Sequence, residues 1–196
     1  MSADHVTREA WLLAAVEALR PAFCDAGRPI PEAVRVSCGF PSRGALARSK
    51  RRIGECWDGA AATDGVSQML ISPTLIDPVE VLGVLVHELV HAAVGCKAGH
   101  KGPFKRLAKT LGLEGKMTMT TVGAELGKRL AAMAESIGAY PHAALNASSK
   151  PKQKARMLKA ACPACGAIIR ASRQVLDSPG LPICACDGAT RFEEAS

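Results

Sequence analysis

Apolar positions along the chain switch between a helical period and an alternating one, and the switches mark out the elements. Residues 7–20, TREAWLLAAVEALR, have the apolar spacing of an amphipathic helix. Pro21 is expected to end that helix. Two runs of strand character follow, 33–38 and 52–57, separated by PSRGALARSKRR, a Gly- and Arg-rich turn or hairpin. A third extended run, SQMLIS at 67–72, stops at Ser72 and Pro73. A helix start comes next: Asp77 at the N-cap, Pro78 at the first helical position and Glu80 three residues after the cap. The run VEVLGVLVHELVHAAV that follows is apolar almost all round, so this helix is expected to be buried and to stop near Gly95. Residues 103–112 and 120–139 predict further helices. Residues 147–157, polar and basic with a proline, predict a linker between a first domain over 1–146 and a cysteine-bearing module over 158–196.

The buried helix carries the chemistry. His87 and His91 stand four apart, so both imidazoles lie on one helix face and can hold one metal ion. Glu88 is rotated about 100° from His87, which places a carboxylate beside that ion, where it can serve as general base toward water. A helix this apolar has no structural use for three such groups, because an unpaired buried carboxylate costs several kcal/mol. Zinc chemistry needs a third protein ligand. His100 is favoured: the helix stops near Gly95, and AGHKG lets the chain turn back. Glu114, Glu125 and His142 are the alternatives. Tyr140 and His142 are also candidate donors to the oxyanion formed during attack.

Eight cysteines divide into two sets. Cys162 and Cys165, in CPACG, and Cys184 and Cys186, in CAC, offer four thiolates for a tetrahedral structural zinc. The second pair is C-x-C where a double knuckle usually has C-x-x-C. Cys24, Cys38, Cys56 and Cys96 are expected to be small buried thiols, with a regulatory role open to Cys96 from its place in the sequence.

Charge adds a partner. The chain carries +7, and the stretch 97–174 holds fifteen Lys/Arg against three Asp/Glu, or +12, leaving −5 elsewhere. Such a split suggests a polyanion, nucleic acid first. Lys150, Lys152, Lys154, Arg156, Lys159, Arg170 and Arg173 are the candidate phosphate contacts, sequence-independent and salt-sensitive. A second basic group is Arg43, Arg48, Lys50, Arg51 and Arg52. Aromatic residues are only 4% of the chain, which favours backbone contact over base stacking. With no secretory signal or membrane-spanning run in the sequence, and with cysteines at metal spacing, the expectation is a cytoplasmic, reducing setting.

HELVHA, a loop, and then His100-x-x-x-Phe104, together with IGECW and SQMLISP upstream, resemble the SprT-like zinc metalloprotease family over roughly residues 31–113. The C-terminal cysteines resemble the zinc ribbon of many members. The resemblance implies an α+β fold, a minimal zincin-like core of helices on a small antiparallel sheet, plus a zinc ribbon. It implies a zinc-dependent endopeptidase acting on DNA-bound proteins, including DNA–protein crosslinks, and switched on by DNA. Carried over, His87, His91 and His100 are the ligands of the catalytic zinc and Glu88 is the base. Lys101 departs from the family, where glycine often follows the third histidine directly. SQMLIS would be the edge strand that pairs with substrate backbone, or else an ordinary core strand. Two other functions fit the same sequence: a nucleic-acid-binding adaptor on a non-proteolytic zincin scaffold, and a metallopeptidase with a substrate unrelated to DNA.

Overall fold

In a computed structural model, which describes residues 5–146, 157–177 and 181–195, the chain divides into two compact units, Met1–Ala147 and Ser148–Ser196. The fold is mixed α+β, with five α-helices and three small sheets among the described residues. Lys150, Lys152, Lys154 and Arg156 lie outside the described residues, and the expected linker falls there except for Met157, which opens a strand.

Helix α1 spans Arg8–Asp25, capped by Thr7, whose hydroxyl accepts from Ala10 N. It therefore runs through Pro21 rather than ending there. Leu12, Val16, Leu19 and Phe23 form one buried stripe that continues past the proline. Pro21 and Glu17 are exposed, so the carbonyl that loses its helical partner at Glu17 faces water. Strands β1 (Val34–Cys38), β2 (Gly54–Trp57) and β3 (Ser67–Ile71) form a sheet in the order β1-β3-β2. β1 runs parallel to β3 and β2 antiparallel to it, so the sheet is mixed and not antiparallel, and residues 39–53 do not close a hairpin. SQMLIS is the central strand. Met69 and Ile71 are wholly buried on one of its faces. The sheet edge next to the long helix over 78–94 is β2.

Helix α2, Pro78–Val94, begins as expected: Asp77 accepts from Glu80 N at 2.7 Å. Val81, Leu82, Leu85, Val86, Leu89 and Val90 are buried in the main core with Trp11, Phe23 and Phe104. Helix α3 spans Gly102–Leu111. Residues 113–122, part of which was expected to be helical, instead form a hairpin of β4 (Leu113–Lys116) and β5 (Met119–Val122). The threonines and valine of MTTV favour extended backbone, and α4 starts only at Ala124, ending at Ile137. Gly83 explains how the hairpin meets α2: a Cβ there would collide with Val122 Cγ2.

The second unit has its own core of Ala160, Cys162, Cys184 and Phe192. β6 (Met157–Ala161) pairs antiparallel with β7 (Ile168–Ser172) and with β8 (Glu193–Glu194), and α5 is Arg173–Asp177. No helix among the described residues is long and apolar enough to cross a membrane.

Candidate active site

Helix spacing sets His87 and His91 on one face of α2, and two glycines return His100 to them. Gly95 ends the helix at φ 83° and Gly99 sits at φ 54°, conformations that glycine adopts freely. His100 Nε2 then lies 3.2 Å from His87 Nε2 and 3.2 Å from His91 Nε2. All three ligand atoms fall within 4.8 Å of one another. Phe104, one turn beyond His100 and wholly buried, packs its ring against all three imidazoles at centroid distances of 4.9, 4.4 and 4.9 Å.

Tetrahedral zinc with Zn–N bonds near 2.05 Å places its nitrogens about 3.3 Å apart, close to the two 3.2 Å separations here. Burial, then the neighbouring imidazoles, hold His87 down at about 3 and His91 down at about 4. Burial also lowers His100. The rings are thus neutral at pH 7, the form a metal requires. His91 Nδ1 is buried without a partner.

His87 has a partner that the sequence reading missed. Its Nδ1 lies 2.8 Å from Thr120 Oγ1. With Nδ1–H donating to the threonine oxygen, the Nε2 lone pair is left to face the centre. The contact follows from the one between Gly83 and Val122. His87 is four residues on from Gly83 along the helix, and Thr120 is two back from Val122 along the strand, so both pairs share one interface. A glycine one turn before the first histidine, opposite an alternating TTV, is the signal that could have revealed it.

Glu88 is 6% exposed. Burial pushes its carboxyl up to about 8, with Cys96 adding to the rise and Arg52 opposing it. Gly54 of the edge strand makes room for it: a Cβ at that position would strike Glu88 Oε1 and come within 2.6 Å of Val84 Cγ1. The IGECW stretch therefore seats the carboxylate against the strand.

The other candidates for this centre lie elsewhere. Glu114 is exposed, and Glu125 bonds Lys128 at 2.8 Å. Tyr140 packs on Trp11 at 4.8 Å and donates to Cys38 Sγ. His142 accepts at Nδ1 from Arg8 at 3.1 Å, so its Nε2–H donates to the Pro73 carbonyl at 2.9 Å. None of these shares a hydrogen bond or ring contact with the three imidazoles or with Glu88.

In the second unit all four cysteines converge. Cys162 Sγ is 3.8 Å from Cys186 Sγ, and Cys165 Sγ is 3.6 Å from Cys184 Sγ. These are far beyond a disulfide and near the ~3.8 Å edge of a tetrahedral zinc–thiolate site. The C-x-C half is closed like the other. Gly166 N donates to Cys162 O at 2.9 Å and Gly188 N to Cys184 O at 3.2 Å, both glycines at positive φ. Backbone N–H groups of Cys165 and Ala164 help hold the Cys162 thiol down at about 7.

Of the basic residues, Lys159 and Arg170 sit directly opposite each other on β6 and β7. Arg173 is engaged by both oxygens of Glu194, at 2.9 and 3.1 Å. Arg43, Arg48, Lys50 and Arg51 are exposed, while Arg52 bonds Glu55 at 2.9 Å. Cys24 is exposed and Cys38, Cys56 and Cys96 are half-buried, so none is the fully buried thiol expected. All four lie on elements one face of which meets solvent. Comparison with protein-family models, curated proteins and solved structures finds no match to this chain.

Proposed function

We propose that the first unit is a zincin-like peptidase of the SprT-like type and the second a zinc ribbon, together a zinc-dependent endopeptidase acting on DNA-associated proteins. The observation that carries this reading is the meeting of three imidazole Nε2 atoms, two of them on a helix whose Glu88, next to His87 in sequence, is a buried carboxyl. The donor set fits zinc: three neutral nitrogens, two of whose separations are those of a tetrahedral site. Bound there, zinc would polarise a peptide carbonyl and lower the pKa of water toward about 7.

Glu88 would move the proton. Its carboxylate takes a proton from the attacking water and hands it to the leaving amine. Its raised value of about 8 belongs to the protein without a cation; a divalent ion nearby favours the carboxylate and restores the base. Thr120 holds the His87 ring, and Phe104 walls the three imidazoles on one side. An extended substrate would add to the open edge of β2, beside Glu88, through main-chain hydrogen bonds that read little side-chain sequence. Support for a nucleic-acid partner is electrostatic. Lys159 faces Arg170 across a strand pair, an arrangement that like charges disfavour and that a phosphate between them would relieve. The loop of Arg43, Arg48, Lys50 and Arg51 holds unpaired cations.

The test is cleavage of a DNA-bound protein by the zinc-loaded chain, with and without DNA, beside Glu88→Gln. The expected result is cleavage that requires DNA and is lost in the variant. DNA binding without cleavage would favour the adaptor, and cleavage indifferent to DNA a peptidase with another substrate.

A further inference from the structure

Two thiols outside the metal-type clusters face one another beside Glu88. Cys56 lies in β2, on the side of that strand that Gly54 presents to α2, and Cys96 opens the 3-10 turn that follows α2. Their sulfurs are 3.6 Å apart, so a disulfide of about 2.05 Å needs only some 1.5 Å of approach. The backbone around them is tied: Asp58, two residues beyond Cys56, accepts from Cys96 N at 3.1 Å, and Cys96 Sγ lies 3.6 Å from Cys56 O. The two thiols act on one another. They share one proton: Cys96 Sγ–H donates toward Cys56 Sγ at 3.6 Å, and a proton held between two sulfurs stabilises whichever of them is the thiolate. The remaining two thiols differ: Cys24 is exposed and Cys38 receives hydrogen bonds from Arg8 and Tyr140.

We propose that Cys56 and Cys96 are a redox-active dithiol, oxidised by a hydroperoxide to a disulfide that ties the edge strand to the segment bearing His100 and closes the site. The thiolate of the pair attacks a peroxide oxygen, the O–O bond breaks, and hydroxide leaves as water after taking a proton. The second sulfur then attacks the sulfenic acid so formed, the S–S bond forms, the S–O bond breaks, and a second water leaves with the proton of the second thiol. Two electrons pass from the thiols to the peroxide, and an external dithiol returns them. The bond draws on residues 95–99, which join His91 to His100, and on the strand that seats Glu88. The bond itself rests only on the thiol geometry; its effect on the site rests on the metallopeptidase reading.

The test uses the full zinc-loaded chain treated with one equivalent of hydrogen peroxide. Non-reducing peptide mapping, free-thiol count, zinc release to a chromophoric chelator and cleavage are all read. The expected result is loss of two thiols and about 2 Da, a linkage joining the Cys56 and Cys96 peptides, and cleavage reduced at least ~10-fold and restored by dithiothreitol. Cys56→Ala and Cys96→Ala are each expected to keep their own untreated activity through the same treatment. Oxidation of Cys24 ahead of the pair, a linkage elsewhere, or a complete Cys56–Cys96 linkage that leaves cleavage and zinc retention unchanged would each overturn the proposal. Should the untreated chain cleave nothing, the peptidase reading fails, while the linkage map and zinc release still decide the dithiol.

Discussion

Replacing Glu88 with glutamine should make the metal-free first unit more stable, and more so as pH rises. The carboxyl is 6% exposed, and burial raises it to about 8 from an ordinary value of 4.5. Below pH 4.5 the group is protonated in folded and unfolded chains alike and contributes no difference. Between 4.5 and 8 the folded state holds a proton that the unfolded state has lost, so stability falls as pH rises. At 1.36 kcal/mol per pH unit, the deficit reaches about 3 kcal/mol at pH 7 and levels off near 5 kcal/mol above pH 8. Glutamine has nearly the same shape and does not ionise, so the variant should escape this slope. The depressed histidines titrate in both proteins and cancel in the comparison. For a unit of this size, 3 kcal/mol corresponds to roughly 10 °C in Tm. Both tryptophans, Trp11 and Trp57, lie in the first unit, so fluorescence melts in chelator report on that unit alone. Glu88→Gln should melt near wild type at pH 4.5 and well above it at pH 8, and zinc should narrow the gap by favouring the carboxylate. Parallel melting curves across that range would refute the argument that Glu88 is held against its solvation.

Thr120→Val keeps the shape of the side chain but removes the oxygen 2.8 Å from His87 Nδ1. Zinc affinity of the histidine centre should fall about 10–100-fold, with Thr120→Ser restoring most of it, as read by competition with a chromophoric chelator. Gly54→Ala puts a methyl group where Glu88 Oε1 and Val84 Cγ1 now sit. It should cost about 1–3 kcal/mol of stability and lower kcat on the order of 100-fold while leaving zinc content unchanged; unaltered kcat would show that the carboxylate does not depend on that strand.

Features with local causes were legible in the order of residues alone. Asp77, Pro78 and Glu80 fix the start of α2 because capping involves only neighbouring backbone. The four-residue spacing of His87 and His91 fixes their common face because the helix repeat does. Gly95 and Gly99 permit the return of His100 because positive φ is a property of the residue. CPACG closes as a glycine-ended knuckle for the same reason, whereas the closure of the C-x-C half at Gly188 is seen only in the structure. What required the tertiary structure was every feature decided by a distant partner. Pro21 sits inside α1 because Phe23 has a core to enter. SQMLIS is central and not an edge because β1, 33 residues upstream in register, pairs with its far side. The hairpin at 113–122 exists because α2 leaves a gap at Gly83 for Val122, and Thr120 reaches His87 through that same gap. The facing of Cys56 and Cys96 joins residues 40 apart. Periodicity describes which face of an element is apolar, but not what it meets. Those meetings are set by packing the whole core at once, and the seating of Glu88, the orientation of His87 and the thiol pair all arise there.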